Sequence, residues 1–403
     1  MKGLANLRFL TAGESHGEAL SGIISEYPSG IKIDTDFINY ELSRRQKGYG
    51  RGGRVQIEAD QVKILSGVRK NKSTGSPISF LIFNKDWQNW RQKLRLEENL
   101  LNPRPGHADL SGFLKYRLES IRDVIERSSA RETAVRVCVG AFSKLVLKHF
   151  DINIYSYVEQ IGNAGFWLVK TKVKNKKLTN TLNALLEGAA NIVQILEDIE
   201  KSPVRCPDEE ISKLMIEEID KAKNEGDTLG GKFKVIASGL PPGLGSFDQW
   251  DNRFDARVAA AIMSVPSIKV VEIGEGFLAP FFHGSEFHDE IFHDGILGFY
   301  RKTNRAGGIE GGMSNGQPVI ITASAKPIPT TAKGLQSVNI KTKNIENSLS
   351  ERSDVCAVPS AAVVGEAVLA IEILNAFQDK FGKDSLEEVL ENYNNFKKYL
   401  KEI

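Results

Sequence analysis

A chain of 403 residues with 41% hydrophobic side chains can bury a large core, and length alone suggests two or three domains. A formal net charge of +2 excludes a global electrostatic grip on nucleic acid or membrane, so any basic site has to be local. Cys138, Cys206 and Cys356 are odd in number, widely separated and in no metal or redox spacing, as in a reducing cytoplasm. The opening MKGLANLRFLTAGESHG has no apolar signal core, and no later run reads as long enough to span a bilayer. The expectation is a soluble, cytoplasmic protein.

The first cluster with chemistry is TAGESHGEAL (Thr11–Leu20), after a short apolar stretch from Leu7 to Leu10. Glu14, Ser15 and His16 lie between Gly13 and Gly17, so a strand is expected to give way to a turn that presents His16. LSRRQKGYGRGGRVQI (Leu42–Ile57) follows, with Arg44, Arg45, Lys47, Arg51 and Arg54 among Gly48, Gly50, Gly52 and Gly53 and no acidic residue. Guanidinium groups on such a loop can converge on phosphate and carboxylate oxygens with bidentate geometry. A disordered RNA-binding tail shares this composition, but such tails are longer and usually terminal. Here the segment lies between an expected helix (Asp36–Arg44) and an alternating strand (Val55–Leu65). Pro77–Asn84 reads as a buried strand, and Trp87 and Trp90 follow in a polar stretch.

The stretch from Arg104 to Gly140 is the centre of the reading. In RPGHADLSG, Pro103 and Pro105 restrict the backbone and Gly106 frees it, so His107 sits on a stiff loop suited to proton transfer near neutral pH. In ERSSARETAVRVCVG, Ser129 and Glu132 have capping-box spacing, and Ala130, Ala134, Val137, Ala141 and Leu145 recur at helical spacing. Ser128, Ser129 and Arg131 then stand at the positive end of a buried helix, a natural anion site.

Ile152–Gly162 reads as a strand, Leu178–Ile199 as a helical run inside the uninformative segment 163–207, and Asp208 as the cap of a helix ending near Gly226. GDTLGGKF (Gly226–Phe233) resembles a phosphate-binding loop but lacks the closing Ser or Thr and follows a helix, so that reading is rejected. No stretch gives a dinucleotide fingerprint. Asp251–Phe277 reads as a helix, a break at Pro266 and a strand. His283, His288 and His293 recur every five residues, which scatters them on either a strand or a helix and argues against a metal site. Gly307, Gly308, Gly311, Gly312 and Gly316 precede a strand (Pro318–Ala323) and would let a flat or charged ligand approach the backbone closely. AKPIPTT (Ala325–Thr331) offers Lys326 and Thr330 to a phosphate, Arg352 and Asp354 stand just ahead of a long apolar helix, and a last amphipathic helix starts at Leu386. The candidate groups run from residue 16 to residue 354 without a linker, which favours one interwoven domain over the whole chain, 1–403.

Seven of these stretches resemble the chorismate synthase family, in the same order: GESHG (13–17), RRQKGYGRGGR (44–54), RPGHADLSG (104–112), ERSSARET (126–133), GGIEGGMSNG (307–316), KPIPT (326–330) and RSDVCAVPSAAVVGEA (352–367). The resemblance implies a lyase of the shikimate pathway that converts 5-enolpyruvylshikimate 3-phosphate to chorismate and phosphate by anti-1,4-elimination. It implies reduced FMN without net redox change, with NADPH as an indirect reductant. Carried over by motif, Arg45, Arg51, Arg54, Arg104, Arg131 and Arg352 would clamp the substrate anions. His16 would protonate the departing phosphate, His107 would serve the flavin as a proton donor, and Asp354 would assist proton removal at the flavin. The flavin would be held by Arg127, Ser128, Ser129, Pro266, Ser267, Gly311, the run Lys326, Pro327, Ile328, Pro329 and Thr330, and Arg352. The family fold implied is an α+β sandwich in which antiparallel sheets flank helices, and the family assembly is a homotetramer.

Ser267 and Val270 stand where the family pattern has Ala and Gly, and a glycine at 270 would matter if the backbone there had to meet a ligand. Two readings of another class compete. One is a non-catalytic FMN- or anion-binding protein of the same fold, against which both histidines, Asp354 and the arginine set argue. The other is an RNA-binding protein using Arg44–Arg54, which predicts steeply salt-dependent binding and no need for His107.

Overall fold

The computed structural model describes residues 7–52, 59–166, 192–295, 298–349 and 354–403. Strands β1 (Arg8–Ala12), β2 (Ala19–Ser25), β3 (Val62–Ile64) and β4 (Ile78–Phe83) form an antiparallel sheet in the order β1-β2-β4-β3. Strands β5 (Asn153–Ile161), β6 (Ala164–Gly165), β7 (Gly231–Ser238), β8 (Ile268–Ile273) and β9 (Val319–Ala325) form a second one, ordered β8-β9-β7-β5-β6 and antiparallel at every pairing. The alternation in ISFLIF explains β4, since Ile78, Phe80 and Ile82 all turn to the core.

The helices are α1 (Thr35–Gln46), α2 (Trp87–Leu96), α3 (Asp109–Tyr116), α4 (Arg122–Ser128), α5 (Thr133–Leu147), α6 (Ile192–Lys201), α7 (Glu209–Asn224), α8 (Phe254–Met263), α9 (Val358–Phe381) and α10 (Leu386–Glu402). Two of them, α5 and α9, fill the space between the sheets, and small residues set the layer spacing. A Cβ on Gly22 of β2 would lie 2.8 Å from Val135 of α5, one on Gly140 of α5 would lie 2.5 Å from the Ala367 Cα of α9, and one on Gly365 of α9 would lie 2.9 Å from Phe233 of β7. The layers are therefore sheet, helix, helix, sheet, the α+β sandwich expected. One continuous apolar core runs from Leu7 to Tyr393.

Expected elements recur with shifted ends. The helix expected at Asp36–Arg44 spans Thr35–Gln46, its start set by the Asp34 carboxylate, which accepts from Phe37 N, and Asp208 caps α7 by accepting from Ile211 N. Of the strand expected at Val55–Leu65, only Val62–Ile64 is strand among the described residues, as β3; Ala59–Gln61 are not, and residues 53–58 lie outside the description. Most of the helical run expected at Leu178–Ile199 also falls outside it. The described end of that segment is not merely surface, since Ile199, Val204 and Cys206 are buried. The polar stretch with Trp87 and Trp90 forms a helix, α2. One described helix, α9, is after all long and apolar enough to cross a bilayer, yet 89% of its apolar window is buried between the sheets.

Inside this packing lies an ionic cluster centred on Glu366 of α9, which is 0% exposed. Arg44 grips it with two bonds of 2.7 and 2.8 Å, Lys144 and Ser156 reach it at 2.7 and 2.6 Å, and Arg205 lies at 3.2 Å. Glu41 and Glu200 complete the cluster, accepting from Arg44 at 2.9 and 2.7 Å. Three cations thus meet three carboxylates from α1, α5, α6, α9 and the loop at Arg205. Burial alone would raise the Glu366 carboxyl, but Arg44 and Lys144 outweigh it and hold it well below the usual range. Its contribution is present above the unfolded-state value, about 4.3, and is lost as pH falls through the depressed folded value. Glu366→Gln is expected to cost about 3–5 kcal/mol at neutral pH, because it leaves three buried cations with two carboxylates, and the deficit shrinks in acid. Denaturant unfolding of the two proteins at pH 7 and pH 3.5 checks both.

Candidate active site

A cavity of about 810 Å³ opens beside α5, within the usual range for small-ligand sites. The turn after β1 brings Ser15 and His16 to it, and the end of α1 and the loop beyond bring Arg45, Arg51 and Gly52. The loop before α3 supplies Arg104, Gly106 and His107, and the α4–α5 junction supplies Ser128, Ser129 and Arg131. Pro266, Ser267, Lys326, Ile328, Pro329, Thr330 and Asp354 close the far side.

Both histidines and the four arginines of the lining are held by side-chain carboxylates. The turn carrying His16 is pinned to α4: Ser15 N donates to Glu126 O at 2.9 Å, and Glu126 accepts from His16 N at 2.8 Å and pairs with its Nδ1 at 2.7 Å. Asn84, at the end of β4, donates to Gly17 O at 2.6 Å from the other side. His107 pairs through Nδ1 with Asp109, which also accepts from Arg104 N, Nε and Nη2 at 3.0, 2.8 and 3.0 Å. Arg104 Nη1 donates to Thr330 Oγ1 at 3.0 Å, so one carboxylate aligns an imidazole and a guanidinium and ties them to the Lys326–Thr330 loop. Burial alone would raise Asp109, but His107 and Arg104 hold it well below the usual carboxylate range.

Arg45 and Arg131 share one buried partner. Asp60 accepts from Arg45 Nη2 at 2.9 Å and from Arg131 Nη1 at 2.7 and 2.8 Å, while Arg131 Nε donates to Asn84 Oδ1 at 2.8 Å. Burial alone would raise Asp60, but the two guanidiniums lower it. On the opposite wall Arg51 pairs with Asp354 at 2.8 Å and Gly52 N donates to the same carboxylate at 2.6 Å. The loop reaches Asp354 because Val355 N donates to Gly50 O at 2.7 Å, and Gly50 itself needs its positive φ of 81° to make that turn. Arg45 Nε, Arg51 Nε and Arg131 Nη2 are buried without a hydrogen-bond partner among the described residues. Arg45 and Arg131 share a single carboxylate, so this wall keeps a positive charge that an anionic ligand would match.

Of the residues expected at a site, His16, Arg45, Arg51, Arg104, His107, Ser128, Ser129, Arg131, Pro266, Ser267, Lys326, Ile328, Pro329, Thr330 and Asp354 line this one cavity. Arg54 and Arg352 lie outside the described residues. Arg127 does not reach it: its guanidinium turns outward to Thr11 O and Oγ1 at 3.0 and 2.7 Å. Gly311 sits at the tip of a hairpin, Ile309–Glu310 with Met313–Ser314, and neither it nor Pro327 borders the cavity. Arg44, one residue before Arg45, is spent in the Glu366 cluster. The expected capping box is half formed: Ser129 Oγ accepts from Arg131 N, but Glu132 binds Thr11 Oγ1 and Arg136 instead of reaching back. His283, His288 and His293 stand away from the cavity. Val270 is half exposed on edge strand β8, beside a bulge, and does not line the cavity. Ser267 lines it with a left-handed φ of 75°, uncommon for a residue with a Cβ.

Five residues with parts to play here were not singled out from sequence: Asp60, Trp90, Lys93, Asp109 and Glu126. Asp109 and Glu126 stood inside the quoted motifs, two residues after His107 and three before Ser129. Trp90 stacks on His16, with ring centroids 3.7 Å apart.

A family model for chorismate synthase matches residues 7–378. The chain belongs to the chorismate synthase family. It is 48% identical to the chorismate synthase of Syntrophomonas wolfei over 404 residues, covering 98% of both chains, and 49% identical to that of Alkaliphilus metalliredigens over 395 residues, covering 96% and 99%. A crystal structure of a chorismate synthase superposes with a TM-score of 0.80 at 39% identity, over 99% of this chain and all of the other. The chain is thus a lyase of the shikimate pathway with a small-molecule substrate, in a family that uses a flavin.

Asp60→Asn is expected to lower folding stability by about 3–5 kcal/mol, since two buried guanidiniums lose their shared counter-ion. Added inorganic phosphate should restore more stability to this variant than it adds to the wild type, because a bound anion supplies the missing charge. Thermal melts with and without phosphate read both effects, and equal gains would contradict the role given to Asp60.

Proposed function

We propose that the cavity binds 5-enolpyruvylshikimate 3-phosphate beside reduced FMN and carries out the anti-1,4-elimination that yields chorismate and phosphate. The observation that supports this best is the convergence in one cavity of two imidazoles, each bonded to a buried carboxylate, with four guanidiniums, two of which share one carboxylate. A substrate with two carboxylates and a phosphate needs that much directed positive charge.

The residues present fit a flavin. Ser128, Ser129, Pro266, Ser267, Lys326, Ile328, Pro329 and Thr330 offer hydroxyl, backbone and ammonium groups, while of the other residues the family pattern names Arg352 lies outside the described residues and Arg127, Gly311 and Pro327 do not border the cavity. When bound, the reduced flavin supplies an electron-rich ring that allows elimination without net redox change. NADPH is proposed only as a remote source of its electrons. Around it, Arg45, Arg51, Arg104 and Arg131, joined by Arg54 and Arg352, hold the substrate anions in place. His16 gives a proton to the departing phosphate, and His107 holds a proton toward the flavin. Asp354, tethered by Arg51 and Gly52 N, would assist proton removal at the flavin. The whole chain works as one domain in the cytoplasm. It assembles as a homotetramer, which would cover Leu10, Ile23 and Phe83 on the outer sheet, exposed at 73, 47 and 43%.

Anaerobic turnover with dithionite-reduced FMN, following chorismate and phosphate together, tests the reaction. Equal release is expected, with a loss of about 10²–10⁴-fold in His107→Ala. Binding of substrate and flavin without product would leave only a non-catalytic binding protein.

A further inference from the structure

We propose that Trp90 and Glu126 are positioning residues for His16, together fixing its ring so that Nε2 is the nitrogen that passes a proton to the substrate. The inference rests on the assignment of His16 as proton donor made above.

Glu126 holds the residue at two points. Its carboxylate takes the His16 backbone N–H at 2.8 Å, which fixes where the turn sits, and pairs with ring Nδ1 at 2.7 Å, which fixes the rotation of the ring. Burial alone would raise the Glu126 carboxyl, but the bonds from His16 keep it below its ordinary value. An ionised carboxylate only accepts, so Nδ1 carries the proton between them and exchange with a ligand falls to Nε2.

The remaining freedom is tilt, and Trp90 removes it. The indole lies 3.7 Å from the imidazole centroid at an interplanar angle of 28°. The indole is itself fixed, because Nε1 donates at 2.9 Å to Asp86, one helical turn earlier. Helix α2 has no buried residue, so its place over the cavity comes from contacts such as this stack and from Glu97 at its C-terminus, which takes two bonds of 2.7 and 2.9 Å from Arg122. Arg122 lies on α4, one turn before Glu126. The two elements that hold His16 are therefore bolted to each other. The charged groups facing the pair are Glu126 and Arg122 from α4 and Asp86 and Lys93 from α2, with Lys93 Nζ 4.1 Å from the Trp90 ring. A ring held at its edge by a carboxylate and on its face by an indole is the arrangement a general acid requires.

The test uses the full-length enzyme with reduced FMN under anaerobic conditions. The set is wild type, His16→Ala, Trp90→Ala, Trp90→Phe and Glu126→Gln. Trp90 lies on an exposed helix and Gln keeps the shape of Glu, so these variants separate positioning from folding. Trp90→Ala and Glu126→Gln are expected to lower kcat on the order of 10²-fold. The substrate KM and the FMN Kd should stay within about three-fold. Trp90→Phe, which keeps a stacking face, should recover most of the rate. KM and Kd rising together without a fall in kcat, or a rate in Trp90→Phe no higher than in Trp90→Ala, would overturn the proposal. If His16→Ala itself kept the wild-type kcat, the proton-donor assignment would fail first and the proposal with it.

Discussion

Positive charge buried in a folded chain has to be matched, and this constraint shapes the cavity wall. Four guanidiniums border one cavity, and with no ligand bound their repulsion would cost several kcal/mol if carboxylates did not stand among them. Asp60 serves Arg45 and Arg131, Asp109 serves Arg104, and Asp354 serves Arg51. Among the described residues the internal partners leave some donors unmet, at Arg45 Nε, Arg51 Nε and Arg131 Nη2. The cavity is thereby stable while empty and still short of negative charge, so a polyanion completes it with little rearrangement.

The rigidity behind that arrangement comes from the core. Glu366 pulls α1, α5 and the Arg205 loop onto α9 through a neutral cluster, and the close approach of Gly140 to Ala367 locks the two central helices together. Arg44 and Arg45 show how the two levels are joined. One guanidinium enters the core cluster and its neighbour enters the cavity, so the end of α1 is fixed where Arg45 must emerge. The far end of the cavity is set in the same way by Asp354, four residues before α9 begins.

Much of this was legible in the residues. Periodicity located the main strands and helices, because burial imposes periods of two and 3.6 on an amphipathic chain. The motifs brought most of the expected groups to one cavity from positions as far apart as His16 and Asp354. What escaped was what depends on three-dimensional pairing. Asp60 has no local signature, since its two partners lie 15 and 71 residues away. Trp90 looked like part of a polar stretch because its burial comes from His16, far upstream. Glu132 had capping-box spacing but found stronger partners in Arg136 and Thr11. Arg44 sat in the basic loop by sequence and in the core by structure, because the twelve-residue helix α1 turns its last residues to different sides. Arg127 belongs to a motif whose other members reach the cavity, but its side chain turns outward, whereas Gly311 and the rest of its motif stand in a hairpin that does not border the cavity.

The central claim is that the anion site is already formed, with its guanidiniums held by carboxylates, before substrate arrives. The direct measurement is a pair of crystal structures of the enzyme, one free and one with substrate and flavin bound. The account predicts that Arg45 and Arg131 keep their bonds to Asp60, that Arg104 keeps Asp109, and that ligand oxygens approach these guanidiniums without displacing the carboxylates. Guanidiniums that leave these carboxylates and swing to the substrate would contradict it and show a site assembled by the ligand instead.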